Sequence, residues 1–192
     1  MTTKPVVVRL LVVIFLVLLA GFRPLSSQAQ AVPRLSVSVS PSWIRYDSKT
    51  VGFAGSTDLF GGTGAATFNL NTWFGGTAQI FGDYGDHVHL KGWMAGPQFY
   101  HQKFGGVLFG HVLFGRAQTR LETVVGNREL DVARCYALGG GFELPLGQRF
   151  SVRPIEADYL SSSATGTSQH NVRISVGLVY RWGALKATPK LP

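Results

Sequence analysis

The segment 170–183, HNVRISVGLVYRWG, alternates between apolar and polar residues over almost its whole length. Apolar side chains occupy one parity from Val172 to Trp182, whereas Asn171, Arg173 and Arg181 fall on the other. Because successive side chains of a β-strand point to opposite faces, the pattern predicts a strand with one greasy side and one polar side. Such a strand fits a soluble β-domain if the greasy side is buried, or a membrane barrel if that side faces lipid.

Eight segments of the chain read as β-strands, and no segment after the N-terminal region reads as a helix. Residues 35–40 alternate cleanly, and Gly-rich turns separate several of the segments. Residues 105–121 are apolar on both faces, and Pro154 predicts a bulge within 149–160. The predicted strands are 34–46, 64–74, 75–85, 87–101, 105–121, 130–144, 149–160 and 171–182.

The connections between these segments differ at the two ends of the predicted sheet. Alternating short turns and long loops, an even strand number and strands of about 10 residues are typical of transmembrane β-barrels. We therefore predict an all-β fold, an eight-stranded antiparallel up-and-down transmembrane β-barrel with short periplasmic turns and longer outer loops. The predicted outer loops are 47–63, 122–129 and 161–170, with a short connection near 85–86 as the exception.

The N-terminal residues have the pattern of a secretory signal peptide. Lys4 and Arg9 precede a continuous apolar run at 10–22, and the small-x-small triplet AQA ends at Ala31. An uncleaved membrane anchor is the alternative. We expect a cleaved signal peptide at 1–31, a β-barrel at 32–183 and a short C-terminal tail at 184–192.

The charge content indicates a chain with little surface in contact with water. Charged residues make up 15% of the sequence, against roughly 25% in soluble domains. Residues 1–31 hold three of the 18 Lys and Arg and none of the 10 Asp and Glu, which leaves a net charge of +5. No Lys/Arg run or groove-binding helix is present in the sequence, so we expect no nucleic-acid partner. Cys135 is the only cysteine, so no disulfide within the chain is expected.

The polar strand faces carry small uncharged residues and a few charged residues that the predicted strand register would pair. If residues 161–170 form a symmetric hairpin loop, Asp158 lies opposite Arg173 and Glu156 lies diagonal to Arg173. Glu143, Lys91 and Arg181 fall on similar polar faces. Because an eight-stranded barrel is just wide enough to be filled by side chains, we predict a plugged interior with buried ion pairs. The alternative is a set of solvated surface ion pairs. The predicted interior ion-pair residues are Glu143, Glu156, Asp158, Arg173 and Arg181.

Aromatic residues concentrate near the predicted strand ends. Two aromatic girdles at strand ends are typical of the two interfaces of a bilayer. Arg134 shares the apolar parity at the outer rim, where it would reach lipid phosphates or water. The predicted girdle residues are Trp43, Tyr46, Trp73, Phe74, Tyr84, Tyr136, Phe150 and Tyr159.

The segments LGGGFELPLGQRFSVRPIEADYL (138–160) and HNVRISVGLVYRWG (170–183) resemble the small OmpA-like outer-membrane β-barrel proteins of Gram-negative bacteria, of the single-domain "outer membrane protein beta-barrel domain" type. The resemblance covers about residues 32–183 and implies an outer-membrane location after signal-peptide-dependent export. It also implies outer-membrane lipids, lipopolysaccharide, periplasmic chaperones and the outer-membrane assembly machinery as partners. An unknown surface partner is a further expectation.

Members of this family end in a strand that the assembly machinery reads. The matching residues here are Gly177, Leu178, Tyr180 and Trp182. The chain departs from the family pattern because Trp182 stands where Phe is usual, and because ten residues follow it.

The sequence offers little that predicts chemistry. His87 and His89 share a strand face near Asp83 and Asp86, but two His in this spacing with no third His nearby do not predict a metal site. A hydrolase would need a Ser activated by His and a carboxylate, and only loop serines accompany His170. The glycines at 61–64 and 139–141 precede no helix, so they read as space for barrel packing rather than phosphate loops. We expect no metal and no cofactor.

These observations predict an outer-membrane barrel with a structural or surface-interaction role that is neither an enzyme nor a general porin. A secreted lipocalin-like barrel that holds a small apolar ligand is the first alternative, since its apolar faces would point inward. A lipid-modifying outer-membrane enzyme, such as a lipid A hydrolase or acyltransferase, is the second.

Overall fold

The computed structural model describes residues 32–47, 56–85, 88–103, 105–123, 126–129, 132–164 and 167–183. These residues form β-strands joined by short connections, and among them no helix is long and apolar enough to cross a membrane. The predicted signal peptide and C-terminal tail lie outside the described residues. The strands are β1 (Leu35–Asp47), β2 (Ser56–Asn69), β3 (Phe74–Tyr84), β4 (Val88–Lys103), β5 (Gly106–Thr123), β6 (Gly126–Glu129), β7 (Ala133–Pro145), β8 (Phe150–Ala164) and β9 (Thr167–Trp182).

The strands close into one antiparallel barrel. Neighbouring strands of the chain pair with each other, except that β6 and β7 both pair with β5, and β1 pairs with β9 to close the sheet. Short β6 pairs only with the end of β5, in register Arg120↔Glu129, and β7 takes over the pairing from Ala117↔Ala133 onward. β6 and β7 therefore act as one interrupted strand, and the predicted eight-stranded up-and-down barrel is confirmed.

The greasy side of the strands faces outward. In β9, Val172 and Leu178 are exposed, whereas Asn171, Arg173 and Ser175 on the other parity are buried. The same alternation runs through β1, β2 and β3. Because the closed sheet has only an inside and an outside, the arginines of the opening motif belong to the interior.

The strands are longer than predicted at one end of the barrel, here called the loop end. β2 already begins at Ser56, β8 continues to Ala164 and β9 starts at Thr167, so ladder pairing replaces much of the predicted loops 47–63 and 161–170. Polar and glycine residues suggested loops there, yet their backbone groups remain paired across the hairpins. The connections are 48–55, 85–87, 124–125 and 165–166 at the loop end, and 70–73, 104–105 and 146–149 at the opposite, turn end, with 130–132 between β6 and β7.

Part of the interior is apolar. Twelve buried residues form an apolar cluster inside the loop-end half, with Ile44, Leu59, Leu90 and Leu113 among them. Polar Thr119 and Asn171 are also buried near this end, so the predicted polar interior is wrong for the cluster itself. Tyr46 also belongs to this cluster and is 0% exposed, so its prediction as a girdle residue is wrong. Its parity continues that of the inward serines of β1, and the strand carries it inside rather than to the membrane interface.

A bulge in β8 shifts the parity at the turn end. The pairing of β8 with β9 slips between Arg153 and Glu156, on either side of Pro154, as the sequence predicts. Because β8 contains one extra residue between the two flanking pairs, Arg153 and Glu156 both point inward although their numbers differ in parity. Lys91, in contrast, was predicted on a polar interior face and is exposed on the outside.

The facing of β9 can be tested with a cysteine pair. In a Cys135→Ser background, we expect Val176→Cys to react with a lipid-soluble thiol reagent in bilayers and Ser175→Cys to remain unlabelled, because Val176 points out and Ser175 points in. Mass spectrometry of the folded protein measures the labelling. Preferential labelling of Ser175→Cys would reverse the assignment of the two faces.

Candidate functional site: the polar interior

Arg173 lies near the middle of β9 and is the largest fully buried side chain among the described residues. Its Nε donates to Asp158 Oδ2 at 2.9 Å, its Nη2 donates to the same oxygen, and Nη2 also donates to Gln79 Oε1 at 2.6 Å. The guanidinium lies 5.6 Å from the centre of the Phe81 ring. Asp158 and Arg173 occupy directly opposite positions of β8 and β9, which is the pairing that the sequence predicts.

Asp158 uses its second oxygen for a histidine on another strand. His111 Nε2 lies 2.9 Å from Asp158 Oδ1, so the carboxylate joins β5, β8 and β9 across the interior. Gly139 lies opposite both residues in the registers of β7 with β5 and β8. A Cβ at Gly139 would collide with the Asp158 carboxylate. The glycine run 139–141 therefore makes room for this charged cluster, which is a local form of the packing role predicted for it.

A second ion cluster lies closer to the turn end. Arg153 Nη1 donates to Glu156 Oε2 at 3.1 Å, and Arg153 Nε lies 3.7 Å from Glu143 Oε2. The guanidinium also packs 4.3 Å from the centre of the Phe109 ring. Glu156 thus contacts Arg153 in place of its predicted diagonal partner Arg173, because the β8 bulge turns Arg153 inward. By sequence parity Arg153 falls with the apolar residues Ile155 and Tyr159, so parity alone does not indicate an inward role for it.

Asp83 is a fourth buried carboxylate, which the sequence considered only as a neighbour of a histidine pair. Ser42 Oγ donates to Asp83 Oδ1 at 2.5 Å. Asp83 is fully buried, whereas His89 is half-buried on the opposite face of the next strand. The structure therefore does not bring Asp83 and His89 together, and His87 and Asp86 lie outside the described residues.

The charges of the interior nearly cancel. The described interior holds four buried carboxylates and three buried guanidiniums, and His111 contacts one of the carboxylates, that of Asp158. Ligand atoms of His111, Glu156 and Asp158 lie within 4.8 Å of one another, close enough for one cation. Both carboxylates already accept from Arg153 and Arg173, so their charge is compensated by arginine and the geometry favours an ion network over a metal centre.

The turn-end mouth contains Arg181, the last of the predicted ion-pair residues. Arg181 and Glu143 both line a cavity of about 10 Å³, together with Val32 and Tyr100. This volume corresponds to about one water molecule. Asn69 Nδ2 donates to Pro33 O at 2.7 Å, and Val32 is buried, so the residues before β1 lie across this mouth.

Aromatic side chains lie on the outer surface near both barrel ends. Tyr84, Tyr136 and Tyr159 are exposed near the loop end, and Trp43 is half-buried there. Trp73 and Phe74 form a cluster with Phe99 at the turn end, and Phe150 packs against Tyr180. Seven of the eight predicted girdle residues therefore occupy the outside near a strand end, with Tyr46 as the exception given above.

The residues predicted as an assembly signal divide between the two faces of β9. Leu178 and Trp182 are exposed, and the rings of Tyr180 and Trp182 lie 4.3 Å apart. Gly177 points inward, where a Cβ would collide with Ser40 Oγ. An outward apolar stripe and an inward glycine therefore coexist at the end of this strand.

Removing one member of the central ion pair tests its energetic weight. We expect Asp158→Asn to lower the free energy of unfolding by about 3 kcal/mol, because Arg173 would stay buried without its countercharge. Urea unfolding in lipid vesicles, followed by gel mobility, measures the change. Asp58→Asn is the matched control: Asp58 is exposed on the outer surface opposite Arg45, and exposed pairs contribute little. Equal effects of the two substitutions would contradict the burial of the pair.

Comparisons with known proteins agree with this architecture. No family model matches the chain, and no curated protein matches it. Among solved structures, it is similar to Neisserial surface protein A, with a TM-score of 0.67, 9% identity, and coverage of 77% of this chain and 97% of that one. It is also similar to Ail, the attachment invasion locus protein of Yersinia pestis, with a TM-score of 0.50, 16% identity, and coverage of 77% and 96%. The chain therefore has the fold of the small eight-stranded outer-membrane β-barrel proteins.

Proposed function

We propose that this chain is an outer-membrane β-barrel with a closed interior and a structural or surface-interaction role. The observation that carries the proposal is the combination of an apolar outer surface with an interior filled by side chains. Exposed Val, Leu, Ile and aromatic residues cover the outside of the strands, and the interior contains buried ion pairs beside an apolar cluster. Lipid would cover the apolar outer surface, and the filled interior leaves no wide aqueous path.

The predicted signal peptide supports export, and the strand pattern supports assembly in the outer membrane. In the outer-membrane orientation that we propose, the loop end faces the cell exterior and the turn end faces the periplasm. Leu178, Tyr180 and Trp182 form the stripe that the assembly machinery would contact, with periplasmic chaperones as earlier partners. Surface partners would meet the connections 48–55, 124–125 and 165–166.

The two alternative functions find less support. A lipocalin-like barrel needs an apolar cavity inside, but the apolar residues within this barrel are packed against one another. A hydrolase needs a Ser–His–carboxylate arrangement. Tyr159 Oη and His170 Nδ1 lie 2.6 Å apart on the outer face. His170, the histidine considered for catalysis, therefore has a tyrosine hydroxyl as a side-chain partner. We propose a non-enzymatic role.

Electrical recording tests the closed interior. We expect the purified protein to produce no stable large conductance in planar bilayers, because Arg173, Asp158 and their neighbours occupy the lumen. We expect the Asp158→Ala/Arg173→Ala double variant to show more frequent openings. It removes both partners of the ion pair, so neither charge is left buried without the other. Long-lived, large openings of the unmodified protein would contradict the proposal.

Fractionation tests the location. We expect the chain to sediment with outer membranes, to require detergent for extraction and to migrate differently on gels before and after heating. Unheated folded barrels keep their compact shape, which is the physical basis of the mobility change. Recovery in the soluble periplasmic fraction without detergent would contradict the membrane location and favour the lipocalin-like alternative.

A further inference from the structure

Three cations lie together on the outer surface of β4, β5 and β7, near the loop end. Lys91, Arg116 and Arg134 are all exposed, and we call them the outer basic patch. Arg116 is directly opposite Arg134 in the β5–β7 register, and Trp93 is directly opposite Arg116 in the β4–β5 register. Lys91 lies two residues from Trp93 on the same face. Because neighbouring strands are about 5 Å apart, the patch is about 10 Å wide.

This arrangement is electrostatically unfavourable without a counterion. Like charges directly opposite each other in an antiparallel pair destabilise a sheet. Among the described residues, no carboxylate contacts Lys91, Arg116 or Arg134. Elsewhere on the outer surface the chain avoids this cost, since Arg45 of β1 is opposite Asp58 of β2. The outer basic patch therefore lacks, within the described chain, the compensation that Arg45 has.

The position of the patch relative to the apolar surface indicates what supplies the negative charge. Trp93, Phe114 and Tyr136 are exposed on the same three strands, and the rings of Phe114 and Tyr136 lie 5.8 Å apart. Tyr136 follows Arg134 by two residues toward the middle of the barrel, about 7 Å along the strand. Aromatic side chains of membrane barrels concentrate at the interface between headgroups and acyl chains. The cations thus lie at the headgroup level, next to an apolar surface.

We propose that the outer basic patch binds the phosphate groups of a phosphorylated glycolipid of the lipid A type in the outer leaflet. Arg116 and Arg134 donate paired hydrogen bonds to phosphate oxygens, and Lys91 adds a third positive charge. The acyl chains of the same lipid lie along Trp93 and Phe114. This inference rests on the proposed function for its membrane orientation, and it specifies a lipid site on one side of the barrel.

A lipid is favoured over a soluble polyanion because the cations and the aromatic row form one continuous surface. A soluble polyanion would contact the charges but not the aromatic residues beside them. A phosphorylated lipid contacts both, and its phosphates stay at the depth where the cations lie. The phosphate groups and the apolar chains are therefore both needed for tight binding.

The binding test compares two lipids and three proteins. The full-length folded protein and its Arg116→Gln/Arg134→Gln and Arg45→Gln variants are titrated in neutral detergent with bis-phosphorylated lipid A or with dephosphorylated lipid A. Native mass spectrometry counts the bound lipid. We expect the double variant to bind phosphorylated lipid A about tenfold or more weakly, since two charge-assisted contacts are lost. We expect Arg45→Gln to bind like the unmodified protein, and dephosphorylated lipid A to bind all three weakly.

A stability measurement gives an independent sign. In neutral detergent, Arg116→Gln/Arg134→Gln should raise the unfolding temperature, because it removes repulsion between opposite residues. In bilayers that contain phosphorylated lipid A, the same variant should lower it relative to the unmodified protein. Arg45→Gln should show no such reversal.

Two results would overturn the lipid site directly: equal binding of the two lipids, or unchanged binding by the double variant. A third would be displacement of the lipid by soluble heparin, with the acyl chains making no difference to the binding. The last result would assign the patch to a soluble polyanion. Each of these leaves heat-modifiable mobility and the absence of conductance unchanged, so failure of the lipid site is distinguishable from failure of the proposed function.

Discussion

Arg173 is a charged side chain with 0% exposure in the middle of a narrow barrel, and its pairing with Asp158 is the condition that makes this burial possible. A guanidinium removed from water without a partner costs several kcal/mol. Asp158 compensates the charge, His111 occupies the other carboxylate oxygen, and Gln79 accepts a further guanidinium proton. The pairing therefore ties together strands β3, β5, β8 and β9, which lie on different sides of the closed sheet.

The other features of the interior follow from this central cluster. The glycines of β7 make room for the carboxylates, because a side chain at Gly139 would occupy the space of Asp158. The apolar cluster at the loop end keeps water away from one side of the ion network, and Val32 and Asn69 narrow the turn-end mouth. Low water access strengthens the ion pairs. The ion pairs and the apolar cluster thus depend on each other, and together they are the basis for the proposed closed interior.

Much of the fold could be predicted from alternation alone, because a period of two states which residues share a face. The Asp158–Arg173 pairing was accessible for the same reason, since a hairpin that is symmetric about 165–166 has a fixed register. The partner of Glu156 could not be predicted in this way. A bulge beside Pro154 changes parity by an amount that the sequence does not state, and it brings Arg153 to Glu156.

Position along the strand was harder to predict than facing. Tyr46 has the inward parity of the serines before it, yet its place at a strand end suggested a girdle residue; strand extension to Asp47 decided the outcome. The predicted loop boundaries were wrong because the Ser, Thr and Gly residues that indicated turns also pair well within the extended hairpins. The opposition of Arg116 and Arg134 required the register between β5 and β7, which a connection of uncertain length cannot give.

The central claim is that a dry ion network fills the barrel, and the exchange of the Arg173 Nε–H proton measures it directly. NMR of the protein in nanodiscs, with arginine side chains isotope-labelled, follows that proton in the presence of a water-soluble paramagnetic agent. The account predicts slow exchange and little paramagnetic relaxation for Arg173, while the exposed Arg45 exchanges rapidly. Rapid exchange and strong relaxation of the Arg173 proton would show a water-filled lumen and contradict the account.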